Sequence, residues 1–316
     1  MTGPLPASRS RMPLTVFIPT YNAMPHLPQA IASILRQSWT EFRLLIIDDG
    51  STDDTGEYLR SLEDPRVDIV RQENRGSGAT ANRGLEMCET PFLARMDADD
   101  IADPERLALQ MRAVLDNPAI GIIGTQISYL VDESLVPALR FPTGDPQIRS
   151  ALSCGRSPLC HSTLLFRTDL ARFAGGYRAK SFGEDTDFVM RLMDSTSAAN
   201  LEAVLHYQRV HSGSGSFLSS RPVAVGRRYG LHCAALRRRH LPEPTFEEYL
   251  TCYNNRRLSL CRGVDYMEAW AAVQYRLHII DRARGHKLRA ASRLAAAALC
   301  RPKAVFSRIA EVLGTL

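Results

Sequence analysis

Along the front of the chain, short apolar runs alternate with stretches whose apolar positions recur at helical spacing. Leu14–Pro19 is apolar and partly β-branched, follows Pro13 and ends in a polar turn at Thr20–Asn22, which predicts a buried strand. Leu27, Ile31, Ile34 and Leu35 then fall on one stripe of a helix. Leu44–Ile47 predicts a second strand, running into Asp48-Asp49-Gly50-Ser51. Ser51 or Thr52 is the expected cap of the next helix, with Asp53 and Asp54 in its first turn, where the helix dipole favours acids. Val67–Val70 and Phe92–Met96 predict two more strands, the second running into Asp97-Ala98-Asp99-Asp100. Beyond Pro104 the pattern predicts a helix through Leu115 closed by Asn117-Pro118, an Ile-rich strand over Ile120–Leu130, and a loop around Pro137–Pro146. A strand at Thr163–Arg167, a helix at Glu184–Met193 behind Gly183, and a last strand at Leu201–Tyr207 follow.

Continuous apolar strands that alternate with helices point to an α/β fold: an open, Rossmann-like mixed sheet, mostly parallel and flanked by helices. Ligands of such sheets bind beyond the carboxyl ends of the strands. The polar clusters at 19–22, 48–51 and 97–100 all fall at those ends and make one candidate site. Around Ser212–Ser220 the chain is rich in Gly and Ser without periodicity, which divides it into a loose tail at 1–12, an α/β domain at 13–217 and a helical C-terminal appendage at 218–316. In the appendage Met267, Trp270, Gln274, Leu277 and Ile280 form one helical stripe and Val305, Ile309 and Val312 another. His286–Leu299 sets Leu288, Ala291, Ala295 and Ala298 on one face, with Lys287, Arg289 and Arg293 on others.

Composition changes this picture in one respect. The 316 residues, 45% hydrophobic and 23% charged, are ordinary for a globular enzyme, but the net charge of +5 hides an asymmetry. Residues 1–217 carry 21 Lys and Arg against 27 acids, whereas 218–316 carry 18 against 7, with 16 of the 18 being Arg. Arg237-Arg238-Arg239 and Arg256-Arg257 are its densest clusters. An Arg-rich rear suits phosphate-rich surfaces. It lacks the interleaved aromatics of a nucleic-acid stacking surface, so no nucleic-acid partner is expected. The rear either lies peripherally on anionic membrane or packs on the domain with a solvated Arg face. Seven cysteines without a C-x-x-C pair read as free thiols. With no apolar run of signal-peptide length near Met1–Met12 and none approaching the ~18 residues of a membrane span, a cytoplasmic protein is expected; if it meets the membrane, it does so from the side, at the inner face.

Asp97 and Asp99 stand two residues apart at a strand end. Hard divalent cations, Mn2+ or Mg2+, take carboxylate oxygens and are held jointly with substrate phosphates. The pair is therefore a candidate ion site, with Asp100 left to cap the next helix. Taken alone, such a pair is better explained by helix capping, and its neighbours decide. Tyr21 at a strand end can stack on a base, and Asp49 can accept a uracil ring N–H.

Pro19-Thr20-Tyr21-Asn22, Asp48-Asp49-Gly50-Ser51, Asn74-Arg75-Gly76-Ser77-Gly78, Ala81-Asn82-Arg83-Gly84 and ARMDADD, in this order, resemble the donor-binding half of family-two glycosyltransferases, which have a GT-A fold. The resemblance implies a nucleotide-sugar site with Pro19, Thr20, Tyr21, Asn22 and Asp49 about the nucleoside, Asn82, Arg83 and Asp97 in the donor pocket, and Asp99 as the main metal ligand. Ala81 stands where many members have Arg, so Arg83 or Arg75 is the expected anion contact. GEDTDFVMRL at 183–192 is similar to the family's Glu-Asp helix start, which implies Asp185 as the base that takes the acceptor proton, with Glu184 beside it. Adjacent carboxylates raise one another's proton affinity, although acids at a helix start are favoured by the dipole in any case. Asp187 and Arg191, at i and i+4, read as a surface ion pair. Tyr207-Gln208-Arg209-Val210-His211, followed by Ser212-Gly213-Ser214, resembles the Y-x-R-x-H segment that closes such domains. That implies Arg209 on the diphosphate and His211 as a third metal ligand or a phosphate donor. His161 matches a recurrent family position, either in the pocket or in the core. The resemblance spans residues 14–217 and leaves 218–316 uncovered.

The expectation is thus an inverting transfer of a sugar from a nucleoside diphosphate, a UDP-sugar, to a hydroxyl of a glycan or lipid-linked acceptor, as in surface-polysaccharide synthesis. A sugar-phosphate nucleotidylyltransferase would want a Gly-rich loop with Lys or Arg after the first strand, and PTYNAMPHL has neither. A non-catalytic nucleotide-sugar-binding or scaffold protein would not need Asp97, Asp99 and Asp185 together.

Overall fold

The computed structural model describes residues 13–178, 183–211, 220–255 and 259–300. The expected tail at 1–12, the Gly/Ser-rich boundary from Ser212, the Arg256-Arg257 cluster and the stripe of Val305, Ile309 and Val312 lie outside the described residues. The chain divides into two compact units. Of the described residues, the first holds 13–126, 141–178 and 188–207, and the second holds 127–140, 183–187 and those from 208 onward. This division departs from a single boundary near 217. The end of the Ile-rich strand, with the turn after it, and the first turn of the Glu184 helix group with the rear helices.

Among the described residues the strands are β1 (Leu14–Thr20), β2 (Phe42–Asp48), β3 (Val67–Arg71), β4 (Phe92–Arg95), β5 (Ile101–Ala102), β6 (Ile120–Val131), β7 (Ser134–Pro137), β8 (Leu165–Arg167) and β9 (Ser197–Arg209). They form one mixed sheet in the order β3-β2-β1-β4-β8-β6-β9-β5, with β7 on β6. β3, β2, β1 and β4 run parallel, and β8 turns the direction by pairing antiparallel with both β4 and β6. β1 and β2 are apolar on both faces because both faces are covered: Leu14, Val16, Phe17, Ile18 and Leu44–Ile47 are all buried. β3, at the edge, instead exposes Ile69 and Arg71. The register sets Thr20 beside Asp48 and Asp48 beside Arg71, which puts the polar strand ends at one level.

In the first unit α1 (Leu27–Leu35) buries Leu27, Ala30, Ile31 and Ile34, as its stripe predicts, while Leu35 is only half-buried. α2 (Thr55–Arg60) begins later than expected, after Asp54 and without a side-chain cap. Ser51 and Thr52 do not cap it, because both are bonded to the loop after β1. α3 (Ser77–Met87) packs its Gly84 against the Phe17 ring, and α4 (Arg106–Asp116) ends at Asn117 as expected. α5 (Asp145–Ser153), in which Pro146 occupies the first turn, takes over the end of the expected loop. Thr163 belongs to a short 3-10 turn (His161–Thr163), with its hydroxyl donating to the Cys160 carbonyl, so β8 starts only at Leu165. α6 (Thr168–Phe173) follows β8, and α7 (Glu184–Met193) has the expected bounds.

In the second unit α8 (Ser220–Arg237), α9 (Phe246–Asn255), α10 (Ser259–Ala283) and α11 (Lys287–Cys300) confirm a helical rear. Val131, Val136, Val210 and Ile279 form its apolar cluster, tying the β6–β7 hairpin to α10. The expected stripes are buried only in part. On the first, Gln274 is buried and Leu277 and Ile280 are half-buried, but Met267 and Trp270 are exposed and the neighbouring Ala271 and Ile279 are buried; α11 buries Ala290 and Ala297 rather than the face of Leu288.

Gly84 offers a test of the packing above β1. A methyl there would lie 2.6 Å from two atoms of the Phe17 ring, which is itself buried beneath the Arg95 guanidinium. Gly84→Ala gains about 1 kcal/mol in helix propensity, but overpacking costs about 1–3 kcal/mol. The variant is expected to be destabilised by about 1 kcal/mol, read from the urea midpoint; equal or greater stability would mean that the ring yields freely.

Candidate active site

The site in the first unit is built on the ends of β1 and β2. The Asp49 amide donates to the Thr20 carbonyl at 2.9 Å, locking the two strand exits together. The buried Asp49 carboxylate takes three donors: Gln72 Nε2 (2.7 Å) and the Arg75 amide (2.9 Å) on Oδ1, and the Gly76 amide (2.9 Å) on Oδ2. It thereby draws residues 75–76 and the start of α3 to the strand ends, and Oδ2 retains a lone pair. Gln72 also donates to Thr80 Oγ1 and accepts from Arg83 Nη1 at 2.8 Å, which fixes the Arg83 head group. Gly50 must be glycine: its φ is +80° and a Cβ would meet the Asn74 amide at 2.9 Å.

Asn22, at φ +47°, stitches the loop after β1 to the loop after β2. Its Oδ1 accepts from the Thr52 and Asp53 amides, and its own amide donates to Ser51 Oγ. Tyr21 beside it is 51% exposed, its ring open to a ligand, whereas Pro19 lies half-buried within β1. Thr20 is 2% exposed, and its Oγ1 finds no hydrogen-bond partner among the described residues.

Beyond β4, Asp97, Asp99 and Asp100 each bring a carboxylate oxygen within 4.8 Å of the others. Arg95 Nη2 holds Asp97 Oδ1 at 2.8 Å. Asp100 does not cap a helix: it points inward, where its Oδ2 meets His206 Nε2 at 2.7 Å, and α4 starts after Glu105 without a side-chain cap. Ser162 Oγ is 3.0 Å from the same nitrogen. Arg106, fully buried behind the loop, donates through Nη2 to the Arg95 carbonyl (2.6 Å) and through Nε to Gln110 Oε1, with Nη1 3.4 Å from His206 Nδ1. Burial, reinforced by the Arg106 charge, pushes His206 down to about 3, so the imidazole stays neutral and can donate to Asp100 while accepting from Arg106. Burial also pulls Arg106 down to about 10, which leaves it charged at neutral pH. Three hard oxygen donors at a strand end, one of them oriented by a buried imidazole, fit a divalent cation of the Mn2+ or Mg2+ kind.

His161 Nε2 lies 3.0 Å from the Tyr177 hydroxyl, and Tyr177 stacks on Phe188 at 4.1 Å. Asn82 grips the Tyr177 backbone in both directions, its Nδ2 donating to the carbonyl and its Oδ1 accepting from the amide, each at 2.7 Å. Its amide therefore shapes the wall of the first unit.

Glu184, Asp185, Arg209 and His211 belong to the second unit. Gly183, at φ +69°, opens α7, and Asp185 Oδ1 accepts from the Thr186 amide at 2.7 Å. α8 packs on this turn so closely that a Cβ on Gly183 would meet the Val223 carbonyl at 3.0 Å and one on Gly230 would meet Asp187 Cβ at 3.1 Å. Asp187 and Arg191, expected at the surface, are both buried, with Arg191 donating to the Ala174 carbonyl. Arg209 is buried and His211 half-buried at the end of β9. Sequence reasoning missed His206, Arg106 and Gln72, which carry no motif and act through long-range contacts.

The profile of glycosyl transferase family 2 matches residues 15–172. The amylovoran biosynthesis glycosyltransferase AmsE of Erwinia amylovora is 28% identical over 209 residues, 63% of this chain and 76% of AmsE. Three further curated relatives, among them the chondroitin synthase of Escherichia coli, are matched over only 16% to 40% of their length. Staphylococcus aureus TarS in complex with UDP superposes with a TM-score of 0.55 at 18% identity, covering 92% of each chain. The mannosyltransferase PcManGT of Pyrobaculum calidifontis, in complex with GDP-Man and Mn2+, also gives 0.55 at 18% identity, covering 96% of this chain and 80% of that one. The fold is the GT-A fold of these proteins.

Asp49 is expected to be structural whatever it binds. Removing its carboxylate strands three donors, each worth about 1–3 kcal/mol where water cannot replace the acceptor. Asp49→Ala should therefore lose at least about 2 kcal/mol of stability without any ligand, measured by urea unfolding; an unchanged midpoint would show that the loops hold without it.

Proposed function

Because the chain belongs to glycosyl transferase family 2, we propose that it transfers a sugar from a UDP-sugar to a hydroxyl of a glycan or lipid-linked acceptor, with inversion at the anomeric carbon and a divalent cation in the donor site. The observation that carries the reading is the Asp97-Asp99-Asp100 cluster at the end of β4, in the same unit as the strand-end floor of Thr20 and Asp49. On this floor the exposed Tyr21 ring stacks on the base and the unpartnered Thr20 hydroxyl meets the nucleoside. The remaining Asp49 lone pair accepts the uracil N–H, and the choice of uracil over guanine rests on the shape of the pocket, since guanine also offers a ring N–H to a carboxylate. The fold makes no such choice, since TarS with UDP and PcManGT with GDP-Man match it equally well. Asp97 and Asp99 hold the cation, which offsets the charge that grows on the leaving diphosphate. The Mn2+ in PcManGT supports that assignment. Arg83 in the first unit, and Arg209 and His211 in the second, are the anion contacts of this reading, with Pro19, Asn22 and Asn82 shaping the loops of the first unit. Asp185 takes the acceptor proton during in-line attack, with Glu184 beside it. AmsE, named for amylovoran biosynthesis, supports a polysaccharide as the product class.

Two measurements test the reading. UDP with Mn2+ should raise the melting temperature more than GDP with Mn2+, and both chelation and Asp99→Ala should erase most of the UDP shift, because a ligand stabilises only the state it binds. A UDP shift that survives in Asp99→Ala would place the ion elsewhere.

Asp185→Asn should keep the UDP–Mn2+ shift yet lose donor turnover by about 10²-fold or more, the usual contribution of a positioned base. Near-wild-type turnover would move the role to another carboxylate.

A further inference from the structure

The rotation of α11 is fixed by three contacts with α10: Ala290 and Ala297 are buried, His278 Nδ1 lies 2.7 Å from the Ala290 carbonyl, and Arg293 Nη1 donates to Gln274 Oε1 at 2.8 Å. At 100° per residue the opposite side of the helix carries Leu288, Ala291, Ala295 and Leu299, and all four are exposed, the leucines to 89% and 84%. Lys287 and Arg289, also exposed, fall on either side of this stripe, and Lys287–Cys300 contains no acidic residue. The two contacts to His278 and Gln274 set an antiparallel register that brings Leu299 level with residues 266–270 of α10. There Tyr266, Met267 and Trp270 are exposed as well. Among the described residues no helix is long and apolar enough to cross a membrane.

We propose that the outward face of α11 rests on an anionic phospholipid surface, its leucines entering the acyl boundary and its flanking cations meeting the headgroups. The charge argues for this occupant: residues 218–316 carry 18 cations against 7 acids, a surplus that an anionic bilayer complements. The apolar stripe argues for lipid over a phosphate polymer, which needs cations but gains nothing from exposed leucines. Tyr and Trp at one end are the side chains favoured at the level of the headgroups. Because the alanines contribute little apolar area, binding requires both the leucines and the cations. The inference stands apart from the transfer reaction, as it uses no donor-site residue.

The test is sedimentation of the full chain with vesicles of equal parts phosphatidylglycerol and phosphatidylcholine, against vesicles of phosphatidylcholine alone. The protein should pellet with the first and not the second, and added salt should release it. The double variant Leu288→Ser/Leu299→Ser should bind about tenfold more weakly, as should Lys287→Glu/Arg289→Glu, both with an unchanged melting temperature since all four side chains are exposed. Failure to pellet with the anionic vesicles overturns the proposal. Pelleting that the leucine variant retains in full also overturns it, showing attraction by charge alone. A lipid-free dimer that the leucine variant dissociates would assign the face to a second copy of the chain instead.

Discussion

A guanidinium with no access to water stands behind the acidic loop, and much of the first unit is arranged to satisfy it. Burying Arg106 is tolerable only if its donors are met, since an unpaired buried charge costs several kcal/mol. They are met by the Arg95 carbonyl at the end of β4, by Gln110 one turn along α4, and by Met96 Sδ and His206 Nδ1 on either side. Both ends of the 97–100 stretch are thus held to the same cation: β4 enters it through Arg95 and Met96, and α4 leaves it at Arg106 itself. Through His206 the same network turns Asp100 inward. Asp97 and Asp99 are left half-buried toward the strand ends. The three carboxylates look equivalent in sequence and are divided by this one constraint into an inner, positioning acid and two outer ones.

That division marks how far a single sequence can be read. β1, β2 and β4 were legible because buried parallel strands are apolar on both faces, and the polar clusters at their ends announced the site. The placement of Asp97 and Asp99 at a strand end was legible for the same reason. Asp100 was misread as a cap because its partner, His206, lies 106 positions away on β9, and no local rule connects them. Arg106 read only as the start of a helix. α5 and β7 were missed for a different reason: the 137–146 stretch is dense in proline, and Pro146 was taken as part of a loop when it occupies the first turn of a helix, where its missing N–H is no loss. On α11 the apolar stripe was real, but the buried side is the alanine side, because close packing against α10 selects small residues over leucine.

Several residues that a motif reading assigns to the donor hold the protein together. Asn22 bridges two loops, Asn82 grips the backbone of Tyr177, and Asp49 gathers Gln72, Arg75 and Gly76. Structural and binding roles are compatible, because a strand-end loop without regular hydrogen bonding must satisfy its backbone with side chains, and polar side chains at strand ends are the ones within reach. Loss of activity in a variant at these positions therefore does not by itself identify a ligand contact, whereas Tyr21 and the Thr20 hydroxyl carry no such structural load.

The second unit shows why the rear of the chain is more than a detachable addition. The first turn of α7, with Glu184 and Asp185, packs under α8, and the approach is close enough that neither Gly183 nor Gly230 has room for a larger side chain without movement of the backbone. Gly183 also requires a left-handed φ to bring the chain into α7. The position of the proposed base is therefore set from its own unit by a helix that sequence division at 217 assigns to the appendage, while the carboxylates proposed for the cation are set in the other unit by Arg106 and His206. Two separate buried contacts, one around Arg106 and one where α8 closes on the first turn of α7, set the carboxylates proposed for the cation and the proposed base, and each is built from residues to which no chemical step is assigned.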